Sequence, residues 1–157
     1  MGIFWLRTRK PSFFWRCEVA LTPSLGEPVR GFERLVDPVR MVRYAAATWD
    51  WHHLHYDRDY AEGLGLVGPV VDGQMFGAFL AEHVLDHFGP KTRIESMSFR
   101  FREMVFAGET VSVAGSVVAL SQDADGARIA VEQSISVGDR VCVMATTMAL
   151  LAADPDG

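Results

Sequence analysis

The sequence is poor in the residues that mark several common classes of protein. Its 157 residues include two cysteines, Cys17 and Cys142, and no CxxC pair. This scarcity argues against a disulfide framework or a cysteine zinc site, and it favours a reducing cytoplasm as the location. The formal net charge is -5 and no long basic run is present, so we do not expect nucleic acid as a partner.

Long hydrophobic runs are missing as well. Residues 1–16 mix aromatic and basic side chains, and their apolar runs are too short for a signal peptide or a membrane span. We expect residues 1–31 to form an N-terminal arm or first strand, with a membrane-surface or partner-binding segment as the alternative. The prolines and glycines of residues 22–31 predict an irregular connector. Residues 152–157 should be a frayed tail.

The composition is that of one globular domain, with 49% hydrophobic and 22% charged residues. After a short strand predicted at residues 32–36, Asp37 and Pro38 are typical of the start of a helix. Apolar residues then follow at helical spacing: Val39, Val42, Ala46 and Trp49. This helix should end near Trp49 or Asp50. A second helix, apolar on nearly all sides and therefore buried, is predicted for residues 73–88, with Gly89-Pro90 ending it.

The last third of the chain changes to the alternation of apolar and polar residues that is typical of strands. One strand candidate covers residues 93–102, and three more lie between residues 111 and 149. Turns are predicted at residues 123–126 and 138–139. A long antiparallel sheet that follows a buried helix predicts an α+β fold.

Residues 49–57 hold the densest group of titratable and aromatic side chains in the chain. Asp50 and His55 are five residues apart, so on a continuous helix they would point about 140° away from each other. A turn just after the first helix would let them meet, and we interpret them as an acid/base pair. Asp57 should then cap a short helix over residues 58–63, before a loop rich in glycine and proline.

Three blocks of sequence, in the same order, resemble MaoC-like dehydratases and R-specific enoyl-CoA hydratases. The first runs from Asp50 through His55 to Ala61, where the family reads Asp-x-Asn-Pro-(Leu/Ile/Val)-His, five residues, then Ala or Ser. Residues 68–75 are similar to its Pro-Ile-Val-His-Gly-Met segment, and residues 96–111 to a later sheet segment. Three positions depart from the family: His52 and His53 replace Asn and Pro, and Asp72 replaces His.

The resemblance implies a single hotdog domain over residues 32–151, in which a curved antiparallel sheet wraps around a central helix. It implies a dimer, because the family builds its acyl tunnel at the subunit interface. The implied reaction interconverts trans-2-enoyl and 3-hydroxyacyl thioesters of coenzyme A or acyl carrier protein, without a metal or redox cofactor. Asp50 and His55 would be catalytic, and the backbone N–H near Gly73 would stabilise the thioester oxygen. Further oxyanion or substrate-binding candidates are Asp72, His52, Trp51 and Tyr56.

Other interpretations of the same residues stay open. The histidines at 52–55 could bind a metal, although adjacent His52 and His53 cannot readily point at one ion. His83 and His87 have a metal-binding spacing but are expected to line one edge of the central helix. Trp51 and its aromatic neighbours could simply pack around the loop.

Two alternative functions also remain. A hotdog thioesterase would need a carboxylate on the central helix, and Glu82 is the candidate there, although it lies late in the helix. The other alternative is a non-catalytic subunit of a heteromeric dehydratase, in which a second hotdog chain completes the tunnel as a heterodimer.

Overall fold

The computed structural model describes residues 23–153, which form a five-stranded sheet, three α-helices and one short 3-10 turn. The strands are β1 (Pro28–Leu35), β2 (Thr92–Phe101), β3 (Thr110–Asp123), β4 (Gly126–Val137) and β5 (Arg140–Ala152). The helices are α1 (Pro38–Thr48), α2 (Arg58–Gly63) and α3 (Gly73–Phe88), and the 3-10 turn covers His53–His55. Most of the predicted N-terminal arm and most of the predicted tail lie outside the described residues.

The sheet is antiparallel throughout, with the strand order β1-β3-β4-β5-β2. Helix α3 lies across one face and contacts all five strands. Its apolar side chains, among them Phe76, Phe79 and Leu80, are buried against the sheet. The α+β expectation and the buried central helix are therefore confirmed, with the bounds of α3 as predicted.

The start of β1 corrects the sequence analysis. Pro28 and Val29 pair with β3, so the expected connector of residues 22–31 ends early and the boundary between residues 31 and 32 lies inside a strand. A proline is tolerated here because β1 is an edge strand. Gly31 lies beside an irregularity in the register, where a Cβ would come within 2.6 Å of the Val113 carbonyl oxygen.

Helix α1 begins as predicted, because the Asp37 carboxylate accepts a hydrogen bond from the Arg40 N–H at 2.8 Å. The apolar series from Val39 to Trp49 is not the face that packs. Met41 and Ala45 are buried instead, whereas Trp49 is 81% exposed. Both sets have helical spacing, and only the position of the sheet selects between them. No helix within residues 23–153 has the length and apolar character needed to cross a membrane.

Candidate active site

The turn after α1 carries Asp50 into the site. Trp49 ends the helix in the left-handed conformation, with φ 60° and ψ 25°. Positive φ is uncommon for a bulky side chain, and it reverses the course of the chain at this point. The N–H groups of Trp49 and Asp50 both donate to the Ala45 carbonyl, the second at 3.1 Å. Asp50 therefore leaves the helix in a fixed direction.

His52 holds the turn between Asp50 and His55. Its backbone N–H donates to Asp50 Oδ1 at 3.1 Å, and its carbonyl accepts from the His55 N–H at 3.0 Å. Its ring Nδ1 accepts from the Leu54 N–H at 3.1 Å, so a neutral ring carries its proton on Nε2. In this chain the histidine at the family's Asn position thus contributes to the geometry of the turn.

His55 is half-buried and is held by one of its ring nitrogens. Nδ1 lies 2.8 Å from the Val70 carbonyl oxygen. Because a carbonyl only accepts, Nδ1 must carry a hydrogen, and in the neutral ring Nε2 keeps its lone pair. The Val70 N–H donates to the Leu54 carbonyl at 2.9 Å, which clamps the turn to the segment before α3.

Asp72 joins the predicted pair. It caps α3 with Oδ1, which accepts from the Gln74 N–H at 2.8 Å. The residue is 8% exposed, and within the described part of the chain Oδ2 is buried without a hydrogen-bond partner. Asp50, His55 and Asp72 each offer a polar atom, and these atoms all lie within 4.8 Å of one another. The expected convergence of Asp50 and His55 therefore occurs, with a second carboxylate beside it.

Tyr44 lies close enough to Asp72 to be affected by its charge. Its side chain packs against the core near the start of α3. Burial raises the pKa of Tyr44, and the negative charge of Asp72 adds to the rise.

An apolar cleft of about 400 Å³ lies next to this cluster. It is lined by His55, Val70, Val71, Gly73, Phe76, Phe101, Arg102, Glu103, Met104 and Val105. A Cβ on Gly73 would lie 2.6 Å from Phe101 Cζ, so the glycine makes room for this ring. The ring of Phe101 therefore lies over the Cα of Gly73, the residue whose N–H is predicted to stabilise the thioester oxygen. Phe101 is 54% exposed, so its ring has room to move aside.

Two aromatic candidates lie apart from the cleft lining. The rings of Trp51 and Tyr56 pack edge to face at 6.4 Å, and the Tyr56 hydroxyl donates to the Trp51 carbonyl at 3.2 Å. Their side chains are 43% and 39% exposed. They pack around the turn in this chain. Next to them His53 pairs with Asp57 at 3.3 Å, and Asp57 caps α2 as predicted.

The other proposed metal ligands and the thioesterase candidate have different partners. His83 is fully buried with Nδ1 3.0 Å from Gln133 Nε2, whereas His87 Nε2 lies 3.3 Å from a carboxylate oxygen of Glu27. These two histidines therefore point at separate groups. Both carboxylate oxygens of Glu82 pair with the Arg34 guanidinium, at 2.7 and 2.9 Å.

Several residues of β2 and of the following loop line the cleft but were not predicted from the sequence. Phe101, Arg102 and Met104 lie within the third block of resemblance, residues 96–111, but none of them was predicted to be functional. The alternation of Met97, Phe99 and Phe101 in a strand could have indicated that these side chains face α3. Nothing local in the sequence indicates that the ring of Phe101 lies over Gly73.

The chain is similar in sequence to a known protein family and to two curated proteins. A family model described as "MaoC like domain" matches residues 21–140. The 3-oxo-4,17-pregnadiene-20-carboxyl-CoA hydratase beta subunit of Mycobacterium tuberculosis is 32% identical over 85 residues, which are 54% of this chain and 66% of that one. The peroxisomal multifunctional enzyme type 2 of Mus musculus is 34% identical over 64 residues, 40% of this chain and 9% of that protein. The match thus covers less than two thirds of either relative.

Solved structures show the same architecture. The ChsH1-ChsH2 complex from M. tuberculosis contains a chain with a TM-score of 0.75 and 26% identity, covering 82% of this chain and 98% of that chain. An (R)-hydratase from A. caviae has a TM-score of 0.77 and 20% identity, covering 84% of this chain and 99% of that chain. The predicted hotdog fold is confirmed by these likenesses.

Proposed function

The chain belongs to the MaoC-like domain family, and on that premise we propose that it interconverts trans-2-enoyl and 3-hydroxyacyl thioesters. The observation that carries this proposal is the meeting of Asp50 and His55 within 4.8 Å beside an apolar cleft. An acid and a base at such a distance can act on one water molecule.

The proposed chemistry follows from the hydrogen bonds. A water held between Asp50 and His55 loses a proton as its oxygen forms a bond to the β-carbon of the enoyl group. The α-carbon gains a proton, so the overall step adds one water across the double bond. His55 is suited to the transfer because its Nδ1 is fixed on the Val70 carbonyl, so that in the neutral ring Nε2 keeps its lone pair.

The negative charge that develops on the thioester oxygen needs a donor. The first N–H groups of a helix have no partner within the helix, and the helix dipole favours negative charge there. Gly73 begins α3 and lines the cleft, so its N–H is our candidate for this role. The reaction requires Phe101 to move from Gly73 or to pack along the substrate. Asp72 and His52 then have positioning roles. Asp72 caps the start of α3, and His52 holds the turn that carries Asp50.

The cleft fits an acyl thioester better than a polar substrate. Its lining is largely aliphatic and aromatic, including Phe76, Phe101 and Val105. Arg102 lies in the same lining and could meet the phosphates of coenzyme A or of the acyl carrier protein arm.

The cytoplasmic location of the protein stays a prediction.

We further propose that the active form is a dimer with a second hotdog chain, identical or different. Edge strand β2 leaves Phe99 and Phe101 37% and 54% exposed beside the cleft, and a partner chain would cover them. Two similar proteins are described as a beta subunit and as part of a complex, which supports the heteromeric alternative. Light scattering of the purified chain should give the mass of a dimer, and a monomer without activity would favour a different partner.

Thioester hydrolysis is a weaker candidate. Glu82 would have to reach the thioester, yet Arg34 holds both of its carboxylate oxygens. The pair also lies late in α3, away from the helix start at Gly73.

The test is hydration of trans-2-enoyl-CoA esters of several chain lengths, followed by loss of the conjugated-thioester absorbance. We expect activity in the native chain and its loss in Asp50→Asn and in His55→Ala. His53→Gln is the matched control, because His53 is exposed and its ring contacts Asp57 on the outer side of the turn. Activity that survives both site substitutions would contradict the assignment, and no activity at any length would favour the subunit that needs a partner.

A further inference from the structure

We propose that Asp50, His55 and Asp72 form a binding site for a divalent transition-metal ion such as Zn²⁺. The ion would lie where the attacking water lies in the proposed reaction, so it would inhibit hydration. That inhibition rests on the proposed function, whereas the binding of the ion does not.

The first argument is geometric. One polar atom from each of the three residues lies within 4.8 Å of the other two. Metal–ligand bonds of about 2.0–2.2 Å in a tetrahedral site place ligand atoms about 3.4 Å apart. A contraction of up to about 1.4 Å between the ligand atoms would therefore complete the set. Asp50 lies in the turn after α1, outside any helix or strand, where such a shift needs no change in the sheet.

The second argument is the state of Asp72. Its Oδ1 is fixed by the Gln74 N–H, while Oδ2 is buried without a hydrogen-bond partner within residues 23–153. A buried carboxylate oxygen without a partner is unfavourable, and a cation is the most effective partner for it. The same α3 cap that fixes Asp72 also sets its direction before any ligand arrives.

The third argument is the hydrogen bond of His55. Histidines that bind metals usually donate their second ring N–H to a carbonyl or carboxylate, which fixes the ring and the tautomer. His55 does this with the Val70 carbonyl at 2.8 Å, which in the neutral ring leaves the lone pair on Nε2 for an ion. The site therefore has three ligands and a hydrogen bond to the Val70 carbonyl that orients one of them.

The ligand set selects the class of ion. Two carboxylates balance the charge of a divalent cation. One imidazole nitrogen favours zinc and other first-row transition metals over magnesium or calcium, which prefer oxygen ligands alone. Three protein ligands leave a fourth position for water. Asp72 is one of the three positions at which this chain departs from the family pattern, in which a His precedes the helix glycine.

Calorimetric titration of Zn²⁺ into the full, chelator-treated chain tests the proposal. We expect saturable binding of one ion per chain and little binding of Mg²⁺ at the same concentrations. Asp72→Asn keeps an acceptor for the Gln74 N–H but removes the charge, and it should weaken Zn²⁺ binding by at least about 10-fold. The matched control is Asp37→Asn, which changes the equivalent cap of α1 and should leave the affinity unchanged.

Further outcomes decide the proposal in either direction. His55→Ala should weaken Zn²⁺ binding as well, which keeps the test valid if Asp72→Asn does not fold. Equal affinity in the native chain and in a folded site variant, or no saturable binding, would overturn the site. In the native chain Zn²⁺ should lower kcat for an enoyl-CoA ester, because the ion takes the place of the attacking water. Zn²⁺ binding in a chain without hydratase activity would support the metal site and count against the proposed function alone.

Discussion

His55 and His83 are two histidines in very different environments. Each has a ring nitrogen in a hydrogen bond, with the Val70 carbonyl at 2.8 Å and with Gln133 at 3.0 Å. His55 is half-buried at the cleft, beside two carboxylates. His83 is fully buried in the core under the sheet. The difference teaches that a histidine is available for proton transfer where its ring borders a cleft, and contributes to packing where the core surrounds it.

The largest expected effect comes from making the same substitution at both positions. His55→Gln should lower kcat/KM by at least about 100-fold, because it removes the group that we propose exchanges a proton with water. His83→Gln should instead destabilise the fold by about 1–3 kcal/mol, because it disturbs a buried hydrogen-bond network. Enoyl-CoA hydration and urea unfolding of the two variants measure this. Similar losses of activity in both folded variants would remove the distinction.

The network around His83 can be broken from its other end. The Thr147 hydroxyl donates to Gln133 Oε1 at 2.6 Å, and Gln133 Nε2 donates to the Leu80 carbonyl at 2.9 Å. Thr147→Val should leave the Gln133 oxygen unpaired in the core and cost about 1–3 kcal/mol in the free energy of unfolding. Thr146→Val, on the other face of β5, is the control and should cost less. Equal effects of the two substitutions would mean that the network adds little.

The comparison also predicts a pH dependence of stability. Burial lowers the pKa of His83 below its usual value, and the Val29 carbonyl opposes this only in part. The unfolded chain therefore binds a proton at a higher pH than the folded chain does. Stability from this group is fully present above about pH 6.5 and is lost as the pH falls towards the lowered pKa, with a slope of at most about 1.4 kcal/mol per pH unit.

His83→Gln isolates this effect. Chemical unfolding at several pH values between neutral and mildly acidic should give a flatter profile for the variant than for the native chain. Parallel profiles would contradict the linkage to His83, whatever their absolute stability.

The smallest effect is expected at Glu82. Its pair with Arg34 is about one quarter to one third exposed, with side-chain exposures of 27% and 30%. Glu82→Gln should change the free energy of unfolding by about 1 kcal/mol or less and leave hydration within about twofold of the native rate. A large loss of thioester hydrolysis in this variant would instead revive the thioesterase interpretation.

Local signals explain why much of the fold could be predicted. Asp72 and Gly89 mark the two ends of α3, and Asp57 caps α2, because caps and breakers act within a few residues. The hairpin turns before β4 and β5 follow from the same chemistry. The packed face of α1 could not be predicted, because Met41 and Val39 both lie in series with helical spacing and only the sheet decides between them.

The candidate site likewise has some features that local sequence predicts and others that it does not. The turn that brings Asp50 towards His55 could be predicted from their separation and the end of α1. The Val70 clamp, the buried oxygen of Asp72 and the ring of Phe101 over Gly73 depend on segments far apart in sequence. These are tertiary contacts, and neither hydrophobic periodicity nor helix-capping residues in the sequence indicate them.

The most direct measurement of the central claim is a double-variant cycle at Asp50 and His55. If both groups act on one water, Asp50→Asn and His55→Gln each remove most of the hydration rate, and the double variant is about as slow as the slower single variant. The rates of the four proteins on one enoyl-CoA ester give the result. Losses that multiply in the double variant would show two groups acting independently and would contradict the account.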